Sequence, residues 1–234
     1  MLRTVYNEDH EAFRAAVREF LDRSVWPNVD SYIENKALPR EYWLEAGRQG
    51  LLGLDIPEEF GGMGAEDFRF NAVLSEELSR VNAALPSCHG IHSDITIPYV
   101  VKLGTQEQKE RWLPRAATGE VVAAIGMTEP SGGSDLAALK TTAVRDGDGW
   151  VLNGSKTFIT NGYSCDLVIV AARTSPEKKA RGISLFAVDT TLEGFSRGRK
   201  LDKVGQDEAD TAEMFFENIR LNDDDIIGEL DGGF

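Results

Sequence analysis

The sequence predicts an α+β protein: an all-α first half, then a second half forming a small antiparallel β-barrel or sandwich. Three observations predict it. Apolar residues recur at helical spacing through the first half. From about Glu120 onward the pattern changes to short apolar runs punctuated by Gly, Asp and Asn, with no helical stripe between them. The third is bulk: 234 residues with 41% hydrophobic and 27% charged side chains can bury a core and keep a solvated surface. The change of pattern near residues 115–121 divides the chain into 1–119 and 120–234.

Within residues 7–25, Phe13, Ala16, Val17, Phe20 and Leu21 share one stripe, and Pro27 follows. Leu38-Pro39 precedes a second helix through Trp43 and Ala46, ending in the region of Gly50. Phe70, Val73, Leu74, Glu77, Leu78 and Val81 repeat the helical spacing. Thr105 and Gln108 form a capping box for a helix that Pro114 is expected to stop at Leu113. These stripes carry no chemistry of their own and read as core.

In the second half, residues 121–125 read as a buried strand. Residues 141–144, the turn Asp146-Gly147-Asp148-Gly149 and Trp150-Val151-Leu152 read as a hairpin. Residues 166–172 are a continuous apolar run fit for a buried strand, and 183–188 and 213–221 add two more. Residues 175–181, with Lys178, Lys179 and Arg181, form a solvated, loop-like charge cluster.

The formal charge of −14 argues against nucleic acid, which needs a basic footprint, and against an anionic membrane surface. No apolar run approaches the ~18 residues that a membrane span needs. Cys88 and Cys165 lack metal-ligand or redox spacing and read as reduced, buried thiols. His89 and His92 stand at i, i+3, a spacing that could ligate a metal from a helix. No Cys or carboxylate arrangement supports it, so the expectation is no metal and ordinary core or surface histidines. Met1-Leu2-Arg3-Thr4 leads into polar helical pattern without the apolar core of a leader, so the expected compartment is the cytoplasm.

The most informative stretch is Gly126-Met127-Thr128-Glu129-Pro130-Ser131-Gly132-Gly133-Ser134-Asp135. Glycines let backbone come close to a ligand, and successive free N–H groups can cradle phosphate oxygens. Ser134 or Asp135 could cap a short helix at Leu136. An ordinary Gly/Ser turn would look the same in isolation. A second stretch, Asn153-Gly154-Ser155-Lys156-Thr157-Phe158-Ile159-Thr160-Asn161-Gly162, opens and closes on Asn-Gly, a hairpin signal, around a short strand.

Together these stretches resemble the acyl-CoA dehydrogenase family, whose Thr-Glu-Pro loop and Gly-x-Lys-x-aromatic-Ile-Thr-Asn strand clamp FAD. Pro57-Glu58-Glu59-Phe60-Gly61-Gly62, Gly104-Thr105-Gln106-Glu107-Gln108-Lys109, Leu113-Pro114 and the residues from Asp210 to Asn218 extend the resemblance in the family's order. Arg181-Gly182-Ile183-Ser184-Leu185-Phe186 and Gly198-Arg199-Lys200-Leu201 look most like its long-chain branch. The resemblance implies an all-α N-terminal domain, a β middle domain and a C-terminal four-helix bundle, the last absent from this chain. That absence implies a truncated product or one part of a split protein, which alone would hold FAD weakly or not at all and be inactive.

By the same resemblance, the reaction is α,β-dehydrogenation of a fatty acyl-CoA to the trans-2-enoyl-CoA, a step of fatty-acid β-oxidation. Electrons pass to an electron-transfer flavoprotein, and the complete protein is a homodimer or homotetramer. Ile125, Met127, Thr128, Phe158, Ile159 and Thr160 would meet the flavin, and Gly133 and Ser134 its diphosphate. Ser134 and Arg181 would also touch acyl-CoA. The catalytic Glu belongs to the absent bundle, leaving Glu129 to the structural turn. Phe158 stands where many members carry Trp, and Gln206-Asp207-Glu208-Ala209 departs from the family's basic residue and Ser. Two other readings stay open: a non-catalytic module that binds FAD or acyl-CoA or assembles with a partner, and an acyl-CoA oxidase.

Overall fold

A computed structural model describes residues 4–233. Met1-Leu2-Arg3, on which the leader reading partly rests, and Phe234 lie outside the described residues. Helix α1 (Glu8–Phe20) starts where the Asn7 side chain accepts the His10 N–H, and it continues as a wider π turn over Leu21–Val25. Val17, Phe20 and Leu21 are buried as the stripe predicts, and Val25 with them, but Ala16 faces solvent. Arg14 is buried instead, and its guanidinium reaches Glu77 at 2.7 Å and Glu76 at 3.0 Å on α4 (Arg69–Leu78).

Arg18 adds bonds of 2.8 and 3.0 Å to the same Glu77 carboxylate. Burial alone would raise the Glu77 pKa, but the Arg18 and Arg14 bonds outweigh it and hold the carboxyl at about 2. The residue that the stripe counted as core is therefore a buried counter-ion.

The helical part continues through α2 (Val29–Asn35), α3 (Arg40–Arg48), α5 (Ala84–Gly90), a π segment (Ile91–Thr96), α6 (Ile97–Leu103) and α7 (Gln106–Ala117). The spacing predicts α4, and start and stop signals predict α3 and α7, but α2, α5 and α6 are missed. Those three are seven residues each, too short to show a stripe, and Pro86, Gly90 and Pro98 punctuate the last two as a loop would be. Both arms of the Thr105–Gln108 box form, but Pro114 does not end α7. The helix runs on to Ala117 because Trp112, Leu113, Ala116 and Ala117 are all buried, and that packing offsets the one missing N–H.

Eight strands form one sheet: β1 (Ala123–Gly126), β2 (Thr142–Asp146), β3 (Gly149–Thr160), β4 (Leu167–Arg173), β5 (Ile183–Asp189), β6 (Phe195–Lys200), β7 (Thr211–Leu221) and β8 (Ile226–Ile227). The pairing order is β6-β7-β3-β2-β4-β5-β8, with β1 beside β4. The expected helical-then-β order holds, and the small antiparallel barrel or sandwich takes the form of one open sheet, mixed rather than purely antiparallel. β1 runs parallel to β4, and β2 meets β4 in a short parallel contact, while the other pairs are antiparallel. The β2–β3 hairpin forms as read.

Asn153-Gly154 does not turn the chain; β3 continues through it with a register shift. Gly154 has φ +150°, and a Cβ there would lie 2.5 Å from the Thr141 hydroxyl.

Strand β4 explains its unbroken apolar run, because both its faces are covered. Leu167, Ile169 and Ala171 pack with Ile97, Val100, Trp112 and Leu113 of the helices. Val168, Val170 and Ala172 pack with Leu152, Phe186, Met214 and Phe216 inside the sheet. Arg40 clamps the two parts together, donating to both oxygens of Asp166 at 2.8 and 2.9 Å, while Asp166 accepts the Val122 N–H at 2.8 Å. Cys88 and Cys165 are free and buried.

His89 and His92 are core residues. Their Nε2 atoms bond the carbonyls of Leu51 at 2.9 Å and Ala116 at 3.3 Å. Burial pushes their pKa values down to about 4 and about 3, from an ordinary 6.5. Both are neutral in the fold, but the unfolded chain protonates them as pH falls below that ordinary value, so the associated stability is complete at neutral pH and lost in acid.

Urea unfolding between pH 7 and pH 5 should show stability dropping with acid, by up to about 1.4 kcal/mol per pH unit for each histidine. A midpoint flat across that interval would contradict the assignment of both as buried and neutral.

Candidate functional site

At the end of β1 the chain passes over a buried lysine. Gly126 allows this approach, since a Cβ there would sit 3.3 Å from Lys156 Cγ. Lys156, fully buried on β3, donates from Nζ to the Met127 carbonyl at 3.1 Å and to Glu129 Oε1 at 2.9 Å. The Glu129 carboxylate also accepts the N–H groups of Lys140 at 2.6 Å and Thr141 at 2.9 Å. Burial would raise the Glu129 pKa, but these donors and the ammonium outweigh it and hold the carboxyl at about 2. Such a carboxylate is saturated and a poor proton acceptor, which agrees with its place in the structural turn.

Above this pair, the loop closes a tight turn in which Glu129 and Gly132 exchange N–H···O bonds of 3.1 and 3.0 Å. Gly133 then lies over the Thr128 methyl, 3.6 Å from where its Cβ would be. The N–H groups of Gly133, Ser134 and Asp135 make no intramolecular bond among the described residues, and all three residues are exposed. Neither the Ser134 nor the Asp135 side chain caps the 3-10 turn Leu136–Ala138. Three adjacent free amides beside a glycine are suited to an anionic oxygen.

Arg173 fixes the far end of the loop. It donates to the carbonyls of Ala137 at 2.6 Å and Leu139 at 3.1 Å, and to that of Lys179 at 2.9 Å. The cluster read as a loop is a 3-10 segment, Pro176–Gly182, interrupted at Lys179 by φ +55°. Lys178 pairs with Asp231, while Lys140, Lys179 and Arg181 are exposed and have no ion pair among the described residues. Arg181 therefore stands on a segment tied to the loop that carries Ser134.

The second motif runs past the first and the strand leading into it in the opposite sense, and further bonds join them besides the Lys156–Glu129 pair. Thr157 N–H donates to the Thr128 carbonyl at 2.9 Å, Lys156 to Met127, and Asn161 Nδ2 to the Ala123 carbonyl at 3.3 Å. The structure thus brings Met127, Thr128, Gly133, Phe158 and Thr160 to one region. Ile125 packs into the core beneath it, and the Ile159 side chain is buried inside the sheet, so only the Ile159 backbone can face a ligand.

The Thr128 and Thr160 hydroxyls, half-buried, bond to no protein group among the described residues. Phe158 is 69% exposed and sits at φ +58° within a bulge of β3. An exposed aromatic held in the left-handed region is strained and unpacked, a combination found at ligand clamps. Lys156 and Asn161 lie inside the quoted motif, yet sequence reasoning gave them no role. A charged residue within an otherwise apolar-alternating strand was the available signal.

A planar aromatic face, two free hydroxyls at its edge and a free-amide loop next to it fit a flavin dinucleotide. Residues 7–120 match the family model described as Acyl-CoA dehydrogenase, N-terminal domain, and residues 124–219 match the middle domain. The chain belongs to the acyl-CoA dehydrogenase family.

It is 45% identical to the mitochondrial long-chain specific acyl-CoA dehydrogenase of Mus musculus over its whole length and spans 54% of that protein. The acyl-CoA dehydrogenase of Geobacillus kaustophilus superposes with a TM-score of 0.96 at 44% identity, covering all of this chain and 61% of its own. A glutaryl-CoA dehydrogenase of Mycobacterium smegmatis, solved with FADH2, gives 0.89 at 32% identity, covering 98% and 57%. The chain therefore spans about half the length of the mouse enzyme.

Replacing Lys156 by Met leaves Glu129 buried without its counter-ion and should cost about 3–5 kcal/mol. The double variant Lys156→Met, Glu129→Gln should recover part of that loss in urea melts. Equal stability of the wild type and Lys156→Met would show that the pair does not hold the loop.

Proposed function

We propose that this chain provides the flavin-facing and thioester-facing surfaces of an FAD-dependent acyl-CoA dehydrogenase acting on fatty acyl-CoA thioesters, with electrons passed to an electron-transfer flavoprotein. The observation that carries the reading is the junction of the two motifs, where the Thr157 N–H bonds the Thr128 carbonyl next to exposed Phe158 and the Thr128 and Thr160 hydroxyls are unbonded among the described residues. FAD is the hydride acceptor of this chemistry. The chain's own residues bind and orient. Phe158 offers a ring face, and the Thr128 and Thr160 hydroxyls can donate where negative charge grows on reduction. The free amides of Gly133 and Ser134 face a diphosphate. Lys140, Lys179 and Arg181 form a local positive patch in a chain of net charge −14, able to draw the phosphorylated end of acyl-CoA. Similarity to the mouse enzyme supports a long acyl chain.

A second reading, a module that binds FAD or acyl-CoA without turnover, is favoured by one observation. Glu129, the acid within the loop, is locked by three donors and cannot take an α-proton.

FAD titration of the chain, followed by flavin fluorescence, tests the proposal against Phe158→Gly. The glycine removes the ring and relieves a left-handed conformation that costs a non-glycine residue about 1–2 kcal/mol. The expected outcome is unchanged or slightly raised stability without FAD, together with weakened FAD binding. A large loss of stability with FAD affinity intact would make Phe158 a packing residue and remove the main support for the reading.

Arg181→Glu should weaken acyl-CoA binding several-fold at low salt and leave FAD uptake unaltered, since its contact is electrostatic and screened. Unchanged acyl-CoA affinity at low salt would return the 176–182 segment to a merely solvated turn.

A further inference from the structure

Ala123, the first residue of β1, is held at both of its peptide groups by side chains from other elements. Its N–H donates to His92 Nδ1 at 3.0 Å, and its carbonyl accepts from Asn161 Nδ2 at 3.3 Å. His92 belongs to the π segment of the helical part and spends its other ring nitrogen on the Ala116 carbonyl. Asn161 also donates to the Cys88 carbonyl at 2.9 Å, in the turn where the α ladder gives way to the π ladder. Such a junction breaks the i→i−4 pattern and leaves carbonyl capacity unused, and Asn161 takes it up.

Asn161 is buried, with φ +60°, a conformation that Asn and Gly adopt more readily than other residues. Its N–H bonds the Asp210 carbonyl, and its own carbonyl accepts the Cys165 N–H at 2.8 Å. One residue thus ends β3, pins β1 and docks on the helical part. The two motif segments, residues 123–128 and 156–161, are tied at one end by Lys156 and Thr157 and at the other by Asn161. Phe158 and Thr160 lie between those ties.

We infer that Asn161, with His92 behind Ala123, is a positioning residue for the flavin edge. It sets the spacing between Met127-Thr128 and Thr160 and links that spacing to the π segment of the helical part. The inference rests on the flavin reading above and deepens it. Asn161 acts through Ala123 and Thr160 and is assigned no contact with reacting atoms.

Asn161→Gly keeps the left-handed backbone and removes both side-chain bonds. Asn161→Asp keeps the shape but, ionised, turns a carboxylate toward two carbonyls. Hydrogen exchange on the flavin-free chain should show both variants exchanging about tenfold faster in residues 123–128 and 157–162, with β4 and β5 as in the wild type. Faster exchange throughout the sheet, or none anywhere, would overturn the inference, because the first is general loosening and the second is no coupling.

The spectroscopic arm adds FAD. Asn161→Gly should alter the position and fine structure of the bound flavin's absorption bands relative to the wild type. Identical spectra in two flavin-loaded proteins would sink the positioning role even if exchange had quickened. A wild type that takes up no FAD sinks instead the reading on which the inference rests, while the exchange result still decides whether the interlock exists.

Discussion

The geometry of the site depends on one buried ion pair, Lys156 with Glu129. Lys156 has no exposed surface, and burial, the largest influence on it, lowers its pKa against the opposing pull of Glu129. A lone ammonium there would be costly, and so would a lone carboxylate. Together, with the Met127 carbonyl and the N–H groups of Lys140 and Thr141, they are satisfied, and the loop over them has one shape. Charges buried in this way are weak evidence for stability but set conformation sharply. Here they press a glycine-rich segment against the strand that presents Phe158 and Thr160.

Other polar contacts extend the same constraint outward. Thr157 bonds the Thr128 carbonyl, Arg173 ties the loop's far end to Lys179, and Arg40 with Asp166 keeps the helices on the sheet. The loop's free amides and the two threonine hydroxyls remain as the unsatisfied groups at the surface. Phe158 at positive φ lies at the same place, an exposed aromatic in a strained conformation, consistent with a surface prepared for a ligand rather than for its own packing.

Much of this was legible in the sequence. Apolar spacing located α1 and α4, and unbroken apolar runs located β4 and β5, because burial of one face or of two leaves a direct imprint; start and stop signals located α3 and α7. The short helices α2, α5 and α6 left none, and neither did β6, whose Phe195–Lys200 stretch is largely polar and lies at the sheet edge. Pro114 and Asn153-Gly154 misled for a common reason. Tertiary packing around Trp112 and Ala117, and close approach to Thr141 at Gly154, overrode the local signals for a stop and a turn. Within the candidate site, the motifs pointed to Thr128, Phe158 and Thr160, and the structure brings those residues to one region. The supporting Lys156, Asn161 and His92 were not readable, because their role is a spatial relation between segments far apart in sequence.

The most direct measurement is a map of amide and methyl chemical-shift changes in the labelled chain as FAD is added. The account predicts changes concentrated at Met127, Thr128, Gly133, Ser134, Phe158 and Thr160, with the helical face of β4 undisturbed. Changes clustered elsewhere, or an unaltered spectrum at saturating FAD, would contradict the claim that these two segments form one flavin-facing surface.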